Sequence, residues 1–310
     1  MTTRVTTAGS YASMIANLKA AQAAQLAAGN KLSTQRNGDS LKAYAGSAEL
    51  LTGLRTTQTQ LTTYQDKSQA LASKLDAQNT GLTRVSDAAT QIRQLMTEAL
   101  ASGRADTLVS DIQGQMSSAV AGLNTQYDGK YLFAGGQVNT KPVTATSLSD
   151  LTASGVTVAD VFKNDDYTVT AKVDDATTLS TGFKADDVGT DMMAALQAFQ
   201  AFNEGPNGPF KGELTAAQQS FLEGQLSNWS TIGQNLNLSV ARNGSNQARV
   251  ESVASDLEAR QTSVTTMIGG ITDADLAQAS AELEQAQLSV QSAAYVFNAF
   301  KQSSLIDFLT

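Results

Sequence analysis

Residues 276–300 read LAQASAELEQAQLSVQSAAYVFNAF, and Leu276, Ala279, Leu283, Ala286, Val290, Ala293, Phe297 and Phe300 recur in them at alternating spacings of three and four. That is an unbroken a/d seam, the pattern of a helix built to supercoil against another helix. The N-terminal stretch from Met14 to Leu32 is alanine-rich and carries Ile15, Leu18 and Leu26 on a similar stripe. Alanine forms helices well but buries little area, so such a seam contributes well below the roughly 1.5–3 kcal/mol of a buried leucine per site. Two weak, matching helical ends predict a chain that assembles. Its candidate assembly seam is Ile15, Leu18, Leu26, Leu276, Leu283, Val290, Phe297 and Phe300.

Working inward, one heptad register holds from Leu50 to Ala99: Leu50, Leu54, Leu61, Tyr64, Leu71, Leu75, Leu82, Val85, Ala89, Ile92, Met96 and Ala99, with Thr57, Ser68 and Gln78 as its polar occupants. At about 1.5 Å per residue this predicts a rod of roughly 75 Å, ended by Ser102-Gly103. A third helix is marked by Leu108, Ile112, Met116, Ala119 and Leu123 and closed by Asp128-Gly129. A second long register runs from Leu222 through Leu226, Trp229, Leu236, Val240, Val250, Leu257 and Val264 to Ile268. Arg242-Asn243-Gly244-Ser245 places turn-forming residues in mid-seam and predicts a kink there. Gly269-Gly270 is expected to separate this rod from the terminal helix, as residues 35–39 separate the first helix from the second.

Between the halves the heptad disappears and Thr, Val and Asp dominate. Residues 156–158 and 167–173 alternate and are β-branched, which predicts strands, and a short amphipathic helix is expected from Met192 to Phe202. The expected fold class is therefore mainly α: long antiparallel helical rods in coiled-coil packing, paired terminal helices and a small β-containing insert. Three domains are expected: 1–45 with 271–310 as a terminal helical assembly domain, 46–130 with 212–270 as a helical rod domain, and 131–211 as an inserted outer domain.

The 310 residues suffice for a sizeable core, but aromatics make up only 6%, which favours slender helical packing. A net charge of −8 makes phosphate backbones and anionic membranes poor partners, so neither nucleic acid nor membrane is expected. With no Cys and no His, thiol catalysis, the Ser-His-Asp triad, the HExxH motif and histidine metal ligation are excluded. The N-terminal residues open no apolar run of the length a cleaved signal needs, and no stretch of about 20 apolar residues could span a bilayer. Composition leaves the compartment open.

The acidic pairs Asp165-Asp166, Asp174-Asp175 and Asp186-Asp187 read as solvated turn residues, since no calcium loop spacing is present. Asp273 and Asp275 begin like a calcium loop, but Gln278 stands where that loop needs glycine, so they read as acids favouring a helix N-terminus. Three Asn-X-Ser sequons, at Asn228, Asn237 and Asn243, fall within a rod where a glycan would obstruct packing. Trp229 sits on the seam and reads as core. No phosphate-binding glycine motif occurs, and nothing reads as an active site, so no enzyme, cofactor or metal is expected. Function must lie in surfaces.

The nested layout resembles bacterial flagellins and the hook–filament junction proteins related to them. Residues 31–39, KLSTQRNGD, look like the motif after the first helix of that superfamily, with Gln35 replacing its glycine and its Asp-Asp reduced to Asp39-Ser40. Asn124 followed by Tyr131-Leu132-Phe133-Ala134-Gly135-Gly136 is close to what junction proteins show, as are Gln285, Gln287 and the ending Ser304-Leu305-Ile306-Asp307-Phe308-Leu309. The resemblance implies an extracellular structural subunit of the flagellum, exported unfolded through the type III pathway without a cleaved signal. It implies partners among the axial proteins: further copies of the chain, the hook, a neighbouring hook-associated protein and flagellin. It also implies an export chaperone at the C-terminal helix. Joining hook to filament is the leading expectation; the filament subunit itself is the alternative, and a cytosolic coiled-coil scaffold a third.

Overall fold

The structure is a computed structural model that describes residues 2–309 apart from Asp175 and Ala176, with side chains described for 9–300. Asp175 and the side chains of Ser304–Leu309 therefore lie outside the described residues. Seven α-helices appear among them: α1 (Thr2–Thr34), α2 (Ala48–Ser102), α3 (Leu108–Leu123), α4 (Leu148–Leu151), α5 (Ala185–Glu204), α6 (Ala216–Thr272) and α7 (Leu276–Leu309). Two short hairpins accompany them: β1 (Gln126–Tyr127) with β2 (Lys130–Tyr131), and β3 (Thr170–Lys172) with β4 (Thr178–Ser180). The architecture is mainly α, as the heptads require. The chain divides into two compact units, Met1–Leu61 with Ala259–Thr310 and Thr62–Glu258.

In the central unit, Thr62–Glu258, the heptad stripe of α2 turns inward. Leu71, Leu75, Leu82, Val85, Ala89, Ile92, Met96 and Ala99 are all buried. From Leu82 onward they meet Leu108, Ile112, Met116 and Ala119 of α3 and Leu222, Trp229 and Leu236 of α6. The α2–α6 pair is antiparallel, with Ser86 donating to Asn237 at 2.9 Å and Asn243 donating to the Leu75 carbonyl, also at 2.9 Å. α2 and α3 approach backbone to backbone through glycine: a Cβ on Gly122 would lie 2.7 Å from the Gly81 carbonyl, and one on Gly81 2.8 Å from the Gly122 carbonyl. Residues of the middle segment, among them Phe133, Val143, Leu151, Phe162 and Phe183, share this one core with the helices. The β3–β4 hairpin rests on a smaller cluster, Val173 and Leu179 against Leu71, Leu75 and Val250.

Several local expectations are corrected. α6 runs without a break through Arg242–Ser245, because Asn243 is fully buried and its amide finds carbonyl oxygens on α2. The helix-interior cost of Gly244, about 1 kcal/mol, is small beside that packing. α6 also passes Gly269-Gly270 and ends at Thr272. Residues 156–158 form no strand; Asp160 accepts from the Thr157 amide (2.8 Å) and hydroxyl (2.6 Å), drawing 158–161 into a 3-10 turn. The strand expected over 167–173 shrinks to Thr170–Lys172. The helix expected from Met192 begins at Ala185, with Asp186 and Asp187 in its first turn, where the macrodipole favours them. Asp128-Gly129, at φ 51 and 71, forms the two-residue turn of the β1–β2 hairpin rather than a helix end.

In the terminal unit, α1 and α7 run antiparallel side by side: Lys31 meets Glu282 near one end, and Tyr11 meets Phe297 toward the other. The first turns of α2 and the last of α6 accompany them, with Gln58 donating to the Thr265 hydroxyl at 3.2 Å. At this end of α2, Leu51 is buried and Leu50 is 58% exposed, one residue off the sequence register.

Candidate assembly surface

α1 forms because residues 2–34 hold nine alanines, no proline and only Gly9 and Gly29 to weaken them. The helix ends at Thr34, and Gln35 takes the left-handed φ of 57 that glycine usually supplies at this position. α7 starts where Asp275 accepts from the Ala277 and Gln278 amides, at 2.9 and 3.1 Å, a side-chain cap on two otherwise unpaired donors. Asp273 and Asp275 thus sit at a helix N-terminus, not in an ion loop.

The α1–α7 contact is built from small residues. Ala28, Ala279 and Ala286 are buried, at 4%, 0% and 7% exposure. Ile15, Leu18, Leu283, Val290, Phe297 and Phe300 are half-buried. Tyr11 and Phe297 meet with ring centres 5.2 Å apart and planes tilted by 48°. Lys31 pairs with Glu282 at 2.9 Å, and hydrogen bonds from Lys31 and Gln278, together with the lysine charge, hold the Glu282 carboxyl below its ordinary range.

Leu26 and Leu276 instead point into solvent, at 69% and 44% exposure. Beside them the structure exposes Leu288, Tyr295 and Val296 on α7, at 63%, 77% and 50%. α7 therefore carries two stripes, one against α1 and one outward. The outward stripe was missed in the sequence, although Ala281, Leu288 and Tyr295 stand seven apart and mark it.

Two of the acidic pairs, Asp165-Asp166 and Asp186-Asp187, come together where the sequence leaves them separate. Lys184 lies 3.1 Å from Asp166, 3.4 Å from Asp187 and 4.0 Å from Asp186. The hydrogen bond to Asp166 and the surrounding carboxylates raise the Lys184 pKa. Asp165 accepts from the Gly136 and Tyr167 amides at 2.7 and 3.1 Å. A Cβ on Gly135, whose φ is 64, would strike that carboxylate, which explains the Gly135-Gly136 pair. Asn124 imitates a strand partner, donating to the Val143 carbonyl and accepting from its amide, both at 3.0 Å. The carboxylates thus pin loops. Among the described residues no group of three His, Cys, Asp or Glu could hold a metal, and no helix is long and apolar enough to cross a membrane.

A model of the bacterial flagellin N-terminal helical region matches residues 5–138, and one of the bacterial flagellin C-terminal helical region matches residues 231–309. Together they take in more than half of the chain. Among solved structures, a protein assigned as a flagellar hook-associated protein from Vibrio parahaemolyticus superposes with a TM-score of 0.59 at 15% identity, covering 72% of this chain and 96% of that one. FlgL of Bacillus cereus superposes with a TM-score of 0.53 at 14% identity, covering 71% of this chain and 99% of that one. At such identities the likeness is one of fold. No curated protein matches the chain. By its paired helical ends and the family regions that coincide with them, the chain belongs to the bacterial flagellin superfamily, the structural proteins of the flagellum.

Proposed function

We propose that this chain is the subunit that joins the flagellar hook to the filament, through packing of α1 and α7 against neighbouring axial subunits. The observation that carries the reading is the near-complete coverage of two solved proteins, one assigned as hook-associated and one called FlgL, by this chain's fold. The Asn124 bridge and the buried Leu132-Phe133-Ala134 segment leading into the middle region support it. In this reading residues 1–45 with 271–310 form the assembly domain, 46–130 with 212–270 the rods, and 131–211 the outward-facing insert. The seam Ile15, Leu18, Leu26, Leu276, Leu283, Val290, Phe297 and Phe300, with its thin alanine packing, is completed only by neighbours, so folding of the ends is coupled to assembly. Export through the flagellar type III route, with a chaperone on the C-terminal helix, and partners among hook, hook-associated protein and flagellin belong to the same proposal.

The second reading, the filament subunit itself, is favoured by the family regions being those of flagellin. Quantitative mass spectrometry of isolated hook–filament preparations, with antibody labelling, separates the two. A scarce component confined to the hook end is the expected result. An abundant component along the whole filament refutes the junction.

A further inference from the structure

Asn-Gly pairs stand at 37–38, 207–208 and 243–244. With no Cβ on the following residue, its backbone nitrogen can reach the asparagine Cγ, which makes such amides chemically labile. The fold treats the three differently. In the terminal unit the turns at 35–37 and 272–274 bond to each other, the Asn37 side chain donates to the Asp273 carbonyl at 2.8 Å, and the Gly38 amide donates to the Tyr44 hydroxyl at 3.0 Å. In the central unit Asn243 is fully buried inside α6, and its amide donates to the Leu75 carbonyl and to Asn79 at 2.9 and 3.4 Å.

Asn207 is exposed, and its side chain bonds to nothing among the described residues. It lies in the turn that the Gly208 amide closes on the Gly205 carbonyl at 3.1 Å. The glycine that makes the amide labile is the one residue this turn admits, since a Cβ on Gly208 would overlap the Asn203 carbonyl. Gln218, 4% exposed, holds the main chain on either side: its amide donates to the Asn207 and Pro209 carbonyls at 3.0 and 3.1 Å, while its oxygen accepts from the Thr215 amide at the start of α6 at 3.0 Å.

We propose that Asn207 is the site at which the folded central unit is modified, by spontaneous deamidation. The deprotonated Gly208 nitrogen bonds to the Asn207 Cγ, the Cγ–Nδ2 bond breaks, and ammonia leaves with the protons it needs from water. Water then opens the cyclic imide. Breaking its bond to Cγ leaves aspartate; breaking its bond to the main-chain carbonyl carbon leaves an isoaspartyl link, one carbon longer in the backbone. Aspartate suits a turn as asparagine does. The longer link displaces the carbonyl that Gln218 holds and loosens the first turn of α6. The inference concerns the central unit alone and stands whether the chain serves junction or filament.

Incubating the full-length protein at mildly alkaline pH, folded and in urea, and mapping its peptides by mass spectrometry tests the proposal. In the folded protein Asn207 converts at least about tenfold faster than Asn243, as two hydrogen bonds on the Asn243 amide imply; in urea the two rates converge. The isoaspartyl form, separated by chromatography, unfolds at lower urea than Asn207→Asp, which matches the native chain. An Asn207 that persists in the folded protein as long as Asn243 overturns the proposed site. An isoaspartyl form as stable as Asn207→Asp overturns the link to Gln218.

Discussion

Replacing Leu288 and Tyr295 separately by Asp distinguishes the outward stripe of α7 from the stripe that faces α1. In the free subunit these side chains are 63% and 77% exposed, so each change alters subunit stability by no more than about 0.5 kcal/mol. In an assembled neighbour contact the same exposed fractions are the area still to be buried. Taking about 1.5–3 kcal/mol for a fully buried large side chain, each position has about 1–2 kcal/mol left to contribute, before any cost of placing a carboxylate there. The expected outcome is a loss of roughly tenfold or more in incorporation per substitution, with a folded monomer. Circular dichroism and hydrogen exchange check the monomer; incorporation into flagella of cells lacking the native chain, counted by quantitative mass spectrometry, checks assembly. Native levels of incorporation by both variants would refute the reasoning. Leu283→Asp differs in kind: Leu283 is half-buried against α1, so this variant both loosens the terminal pair and blocks incorporation while leaving the helices within 62–123 intact.

Gln35→Gly removes a left-handed strain of about 1–2 kcal/mol at the end of α1, offset in part by glycine's unfolded-state entropy, and raises the thermal stability of the terminal unit by about 0.5–1 kcal/mol. Asn243→Asp places a carboxylate at a fully buried site whose amide bonds the Leu75 carbonyl, and costs about 3 kcal/mol or more by urea denaturation; a smaller loss means water reaches the site. The Asp150 carboxyl is lowered to about 2 by hydrogen bonds from Thr146 and Ser147. A depressed carboxylate contributes stability above its unfolded pKa and loses it as pH falls through the folded value, so Asp150→Asn destabilises at neutral pH and the gap to the native chain closes between pH 4 and about 2. A gap that persists at pH 2 would contradict the charge-based account.

What could be read from the chain and what could not divides along physical lines. The limits of α3, Leu108–Leu123, match the apolar stripe that marks it, and most of the α2 seam is buried at the positions its period names. The middle segment was harder. β-branched residues at 156–158 suggest a strand, yet a carboxylate three residues on captures the Thr157 backbone. Asn243-Gly244 looks like a turn because propensity counts only local conformation, while the bond that keeps the helix whole comes from a carbonyl 168 residues away. Lys184 and its three aspartates are likewise invisible as a group until the chain folds.

The mainly helical architecture and the seams at both ends follow from residue order, because helical periodicity fixes which side chains share a face, and composition removes thiol and imidazole chemistry. Which of the two faces of α7 packs on α1 and which is left outward, the sharing of one core by the middle segment and the long helices, and the bonding of the two turns near the helix ends all emerge from the folded chain. Periodicity gives an angle around a helix axis; burial belongs to a pair of surfaces, and the partner is chosen by contacts between residues far apart in the chain.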